Sequence, residues 1–156
     1  LKGLFSPLME GVNMVSAPVI AKGRKINVSE VTRENAGSYQ TLIKVTITTQ
    51  TQSRTVAGTL FNNKEPRLVE IKGIRIDAKL GKNMLFVTNQ DKPGFIGKLG
   101  TILGSNNVNI ATFNLGRSEE GGNAIALIEI DAKPDDTVIN QIRSLEHVVM
   151  VTPMHF

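Results

Sequence analysis

From Met84 to Thr152 the apolar residues change period in one fixed order, and few folds satisfy that order. Met84–Thr88 reads as a strand and is followed by the loop Asn89-Gln90-Asp91-Lys92-Pro93-Gly94. Phe95–Ser105 places Ile96, Leu99 and Leu103 at helical core spacing, and Asn106-Asn107 ends that helix. Val108–Leu115 and Asn123–Asp131 are strands about a hairpin turn at 118–122. Pro134-Asp135-Asp136 opens a helix that runs to about Ser144, and His147–Thr152 is a last strand. Periods of two and of 3.6 residues mark the two element types. The order βαββαβ predicts a four-stranded antiparallel sheet with two helices on one face, the ferredoxin-like plan.

The first half predicts helices followed by an antiparallel sheet, so the whole chain is of the α+β class. Leu1, Leu4, Phe5, Leu8, Met9, Val12 and Val15 recur at helical steps. Ser16-Ala17-Pro18 reads as an N-cap with proline in the first turn, a position where a missing N–H costs nothing. Ile26–Thr32 alternates loosely and predicts a strand. Leu42–Thr48 alternates cleanly, with Ile43, Val45 and Ile47 on one side and Lys44, Thr46 and Thr48 on the other, which predicts one dry and one wet face. Residues 55–61, Arg67–Ile71 and Ile74–Ala78 continue the sheet, the last two joined at Lys72-Gly73.

Composition narrows the function. Apolar residues are 40% and charged residues 21%, as in a globular protein, and there is no Cys. Disulfide frameworks, thiol nucleophiles and Cys-based zinc sites are thereby excluded. His147 and His155 are the only histidines, too few for a histidine-rich metal centre. No apolar run reaches the roughly 20 residues that span a bilayer, and no leader opens the sequence, so no membrane partner and a cytoplasmic location are expected. The chain begins without Met and reads as a piece of a longer one. Residues 1–82 carry 13 Lys and Arg against 6 Asp and Glu, whereas residues 83–156 carry 5 against 8. That split predicts two modules, 1–82 and 83–156. The basic half is compatible with nucleic acid or a phosphorylated small molecule, and equally with a solvated sheet face. Its cations are scattered and only one Tyr is available for stacking, so no nucleic-acid partner is expected.

Chemistry concentrates at the joint between Thr88 and Phe95. Free N–H groups at a helix start suit a carboxylate or phosphate, and Asp91 adds an acceptor beside them. Donors next to a carboxylate match an amino-acid zwitterion; a turn that caps its helix is the plainer account. Gly97, Gly100 and Gly104 share one helical face on which a partner helix or a ligand can pack closely. The Gly-x-Gly-x-x-Gly dinucleotide fingerprint is absent. Asn109 opens the second strand, which is expected beside or near the first, and its amide can donate to a carboxylate and accept from an ammonium. No Ser/His/Asp or paired-carboxylate arrangement stands out, so catalytic residues and a metal site are expected to be absent.

The loop 89–94, the helix Phe95–Asn106 and Asn107-Val108-Asn109-Ile110 closely resemble an ACT domain, a small amino-acid-sensing module. Leu1-Lys2-Gly3-Leu4-Phe5, Val15-Ser16-Ala17-Pro18, Gly58-Thr59-Leu60-Phe61 and Gly73 resemble the intervening, or allosteric substrate-binding, domain of long-form bacterial D-3-phosphoglycerate dehydrogenases. The resemblance covers essentially the whole chain and implies a regulatory, dimerising fragment of an NAD-dependent oxidoreductase of L-serine biosynthesis. The fragment itself would need no cofactor, NAD being held by catalytic domains outside it. L-serine would bind between paired ACT domains at Asn89, Asp91, Gly94 and Asn109, with Asp91 taking the ammonium and Asn109 reaching across the dimer. Where the family often carries His or Tyr, Asn89 stands here. Phosphate-binding positions fall on Arg67 and Lys79, and a third family arginine aligns with Glu129. The first strand of the intervening domain lacks a counterpart, so residues 1–82 would be incomplete. The beta region of iron–sulfur L-serine dehydratases has the same two-domain look and is the alternative, ahead of a nucleic-acid-binding regulator.

Overall fold

A computed structural model of the chain describes residues 1–33 and 37–156. By internal contact it divides into two compact units, Leu1–Asn35 and Ala36–Phe156.

In the first unit, α1 (Lys2–Phe5) is a single turn and α2 (Ser16–Gly23) is the one longer helix. The continuous helix expected over 1–15 does not form. The helix stops at Phe5, just before Pro7, which lacks the N–H that would bond back to Gly3, and Gly11 at φ +71° keeps it from resuming. Phe5 still packs with Ala17 and Ala21, flanked by Met9, Val12 and Ile20, so the apolar spacing is used by a turn instead of a helix. Nor is Ser16 the cap. Asn13 Oδ1 accepts from the backbone N–H groups of Val15 and Ser16, while Ser16 Oγ accepts from the N–H of Asn13. This reciprocal pair is a capping box placed three residues earlier. Residues 26–32 form no strand, in keeping with the break in alternation at Val31.

The second unit begins with a meander of β1 (Ile43–Thr48), β2 (Ser53–Phe61), β3 (Glu65–Ile71) and β4 (Ile74–Ala78), each antiparallel to the next. Tight turns join the later strands, three residues (62–64) between β2 and β3 and two (72–73) between β3 and β4. Asn62 and Asn63, then Lys72 and Gly73, all have positive φ, the backbone that matches strand twist in tight hairpins. The expected dry face is dry over only part of the sheet. Ile71, Ile74, Ile76 and Ala78 pack on Met84, Ile125 and Leu127, but β1 lies two strands farther out. Ile43, Val45 and Ile47 therefore remain 73%, 52% and 46% exposed.

The remaining elements are β5 (Asn83–Gln90), α3 (Phe95–Ser105), β6 (Ile110–Arg117), β7 (Asn123–Ile130), α4 (Asp136–Arg143) and β8 (Val148–His155). Their sheet has the order β6-β7-β5-β8, which is the ferredoxin-like arrangement. β6 is thus separated from β5 by β7, not adjacent to it. Leu85, Val87, Ala126 and Ile128 meet Leu99 and Leu103 of α3 and Ile142 of α4 in one core. The opposite face, with Met84, Ile125 and Leu127, is covered by the first sheet. Burial on both faces explains the unbroken apolar run Ala124–Ile128 in β7. Each fully buried Leu or Ile contributes about 1.5–3 kcal/mol relative to exposure. Ile96, expected in the core, is exposed, and its neighbour Phe95 takes the inward place. Among the described residues no helix is long and apolar enough to cross a membrane.

Candidate functional site

Because β5 and β6 each run antiparallel to β7, they run parallel to one another. Gln90 faces Asn123 and Arg117 faces Ala124, so both strands finish at the same end of the sheet. A cleft of about 460 Å³ opens there, lined by Asn89, Asp91, Gly94, Ile96, Arg117 and Gly121 among others. Gly94 adopts φ +90°, which turns the chain from the strand into α3 and requires glycine. No side chain caps the first turn of α3. Its leading amides and the positive end of the helix dipole thus face the cleft mouth.

Two acceptors sit opposite those donors. Asp91 Oδ2 accepts from Arg117 Nη1 at 2.8 Å and from the backbone N–H of Gly121 at 3.3 Å. Its own N–H donates to the carbonyl of Gly122 at 2.8 Å, which ties the loop to the β6–β7 hairpin. The hydrogen bonds from Arg117 and Gly121 hold the Asp91 carboxyl below its ordinary value of 3.8, so it is anionic throughout the neutral range. Asn89, 3% exposed, donates from Nδ2 to the carbonyl of Gln90 at 2.7 Å. Its Oδ1 is buried and lacks a hydrogen-bond partner among the described residues. A buried acceptor left in that state costs about 1–3 kcal/mol, and a ligand donor would recover it.

The expected residues Asn89, Asp91 and Gly94 therefore come together. Asn109 does not join them within one chain. It precedes β6 and donates from Nδ2 to Asp131 Oδ2 at 2.8 Å, at the far end of the sheet. Seven or eight residues of strand separate the two ends, about 20 Å or more. Arg67 and Lys79 do converge, on Glu65: Lys79 Nζ lies 3.0 Å and Arg67 Nη2 3.7 Å from Glu65 Oε2. Asp77 takes the other side of Arg67 at 2.8 Å, so the two cations are already balanced by two carboxylates. Glu129, where the resemblance sets a third family arginine, lies against Gly81. The Gly97, Gly100 and Gly104 face of α3 has open space where each Cβ would stand. Arg117 is the site residue that sequence reasoning missed. The signal was topological: in a βαββαβ sheet the first two strands run parallel and finish at the same end, on either side of the third.

The family model for the D-3-phosphoglycerate dehydrogenase intervening domain matches residues 1–72, and that for the ACT domain matches residues 83–147. D-3-phosphoglycerate dehydrogenase of Bacillus subtilis is 34% identical over 152 residues, 97% of this chain and 29% of that protein. The Methanocaldococcus jannaschii enzyme of the same name is 34% identical over 149 residues, and the Synechocystis one 35% over 143. The chain spans 26–29% of the length of these relatives.

Proposed function

Since the chain belongs to the D-3-phosphoglycerate dehydrogenase family, as an intervening domain followed by an ACT domain, we propose that it is the serine-sensing regulatory region of such an enzyme. In this reading the longer protein oxidises 3-phosphoglycerate with NAD in the cytoplasm, on the way to L-serine. L-serine enters the cleft at the end of β5 and acts as feedback effector. The observation that carries the reading is the unpartnered Oδ1 of Asn89 beside the Asp91 carboxylate and the uncapped start of α3. Acceptors for an ammonium and donors for a carboxylate lie within one small cleft, which is the charge pattern of an α-amino acid.

A second copy completes the site. β6 is an edge strand, paired among the described residues with β7 alone. Antiparallel pairing of two β6 edges about a two-fold axis near Phe113 sets Asn109 of one copy opposite Arg117 of the other, which returns Asn109 to the cleft. Serine then prefers the joined pair. By linkage that preference reaches the catalytic domains, with couplings typically about 1–3 kcal/mol.

A thermal melt of the chain with and without millimolar L-serine tests this. The melting temperature is expected to rise with serine, and Asp91→Ala is expected to abolish the rise while leaving the ligand-free melt close to wild type. No shift and no heat of binding with L-serine would refute it.

A further inference from the structure

We propose that Arg117 is a resident substitute for the effector's ammonium, displaced from Asp91 on binding and then used to hold the effector's carboxylate, so that the site accepts zwitterions and disfavours plain amines. The inference rests on reading the cleft as an amino-acid site and assigns a specificity role within it.

The carboxylate that would receive an ammonium is not idle: Arg117 Nη1 occupies it at 2.8 Å. The Asp91 side chain is 22% exposed and that of Arg117 is 54% exposed, so the acceptor is held within the wall while its partner reaches in from solvent. Backbone hydrogen bonds to Gly121 and Gly122 fix the place of Asp91, whereas Arg117 stands at the open end of β6. An exposed ion pair of this kind is weak and exchangeable. Glu120 lines the cleft and attracts Arg117 at longer range, which keeps a released guanidinium over the cavity. Lys92, at the mouth, adds a second positive charge.

Charge accounting then distinguishes ligands. An amino acid brings one positive and one negative group. Its ammonium replaces the guanidinium on Asp91, and the guanidinium takes the carboxylate in the forked geometry that arginine favours. Both protein charges stay paired. An amine without a carboxylate displaces Arg117 and gives it nothing in return, beside Lys92.

Calorimetry with L-serine and with ethanolamine, the same skeleton without the carboxylate, separates the possibilities. The wild-type chain is expected to prefer L-serine by about tenfold or more, as a site built for one polar group rejects the analogue lacking it. Arg117→Gln is expected to bring the two ligands within about threefold, and Arg117→Lys to retain part of the preference, since lysine keeps the charge but not the fork. Melting curves of each variant check that the fold is kept. An unchanged preference in Arg117→Gln overturns the role of Arg117 and leaves the amino-acid site standing. No heat from either ligand in the wild type overturns both.

Discussion

Gly116 on β6 faces a carbonyl: a Cβ there would stand 2.3 Å from the backbone oxygen of Arg75 on β4. Backbone cannot swing aside as a side-chain tip can, so Gly116→Ala must push the two sheets apart. The expected loss is about 1–3 kcal/mol. Read by thermal melting at about 2–4 °C per kcal/mol, that is several degrees. Gly100 on α3 is the counter-case, with open space at its Cβ position. Gly100→Ala is expected to raise stability by about 0.5–1 kcal/mol through helix propensity alone, again seen as a higher melting temperature. The sequence marks both residues simply as glycine. Which one is sterically required depends on β4 crossing β6, a contact some forty positions apart in the chain. Asn89, Asp91 and Gly94 were legible because a strand, a turn and a helix start lie within a few residues of one another. Arg117 was not, because only the closed sheet brings it within 2.8 Å of Asp91.

Caps and turns decide where elements begin. Asp135 Oδ1 accepts from the N–H of Val138 at 2.9 Å and caps α4, as its place before the apolar run implied. Asp135→Ala is expected to cost about 1 kcal/mol, measurable as a shifted denaturant midpoint with an unchanged slope. At the other end of the chain the same logic misled. Ser16-Ala17-Pro18 has the composition of a helix start, yet Asn13 supplies the cap and Ser16 answers it. The spacing of Leu1 through Val15 is that of a helix, but Pro7 and Gly11 interrupt the backbone it needs. Period-two alternation located β1 correctly but did not reveal its surroundings. Alternation reports that one face is apolar, and burial of that face depends on whether another layer reaches it.

Two sheets stacked face to face, with helices outside one of them, leave β6 as an edge strand ending at the cleft. If two copies join there, a charge near the axis should separate them. Thr112→Lys sets like charges close to the two-fold and blunts the edge. Sedimentation of the variant is expected to show a lower dimer fraction at equal concentration, with the melting curve of the individual chain preserved and L-serine response weakened. A wild-type chain that sediments as a monomer with serine present would defeat the two-copy site. The order of elements was legible from residue 84 onward because each change of period coincides with a turn signal. The covering of the sheet by β3 and β4 was not, since nothing local states which surface faces which.

One wall of the cleft belongs to the tip of the β6–β7 hairpin, where Arg117, Glu120 and Gly121 stand. That tip is anchored to the loop after β5 but contributes no side chain to the apolar core. Under the proposed sensing role, descendants of this chain can therefore lengthen or recolour the tip, and so retune the ligand, without reopening the question of whether the domain folds.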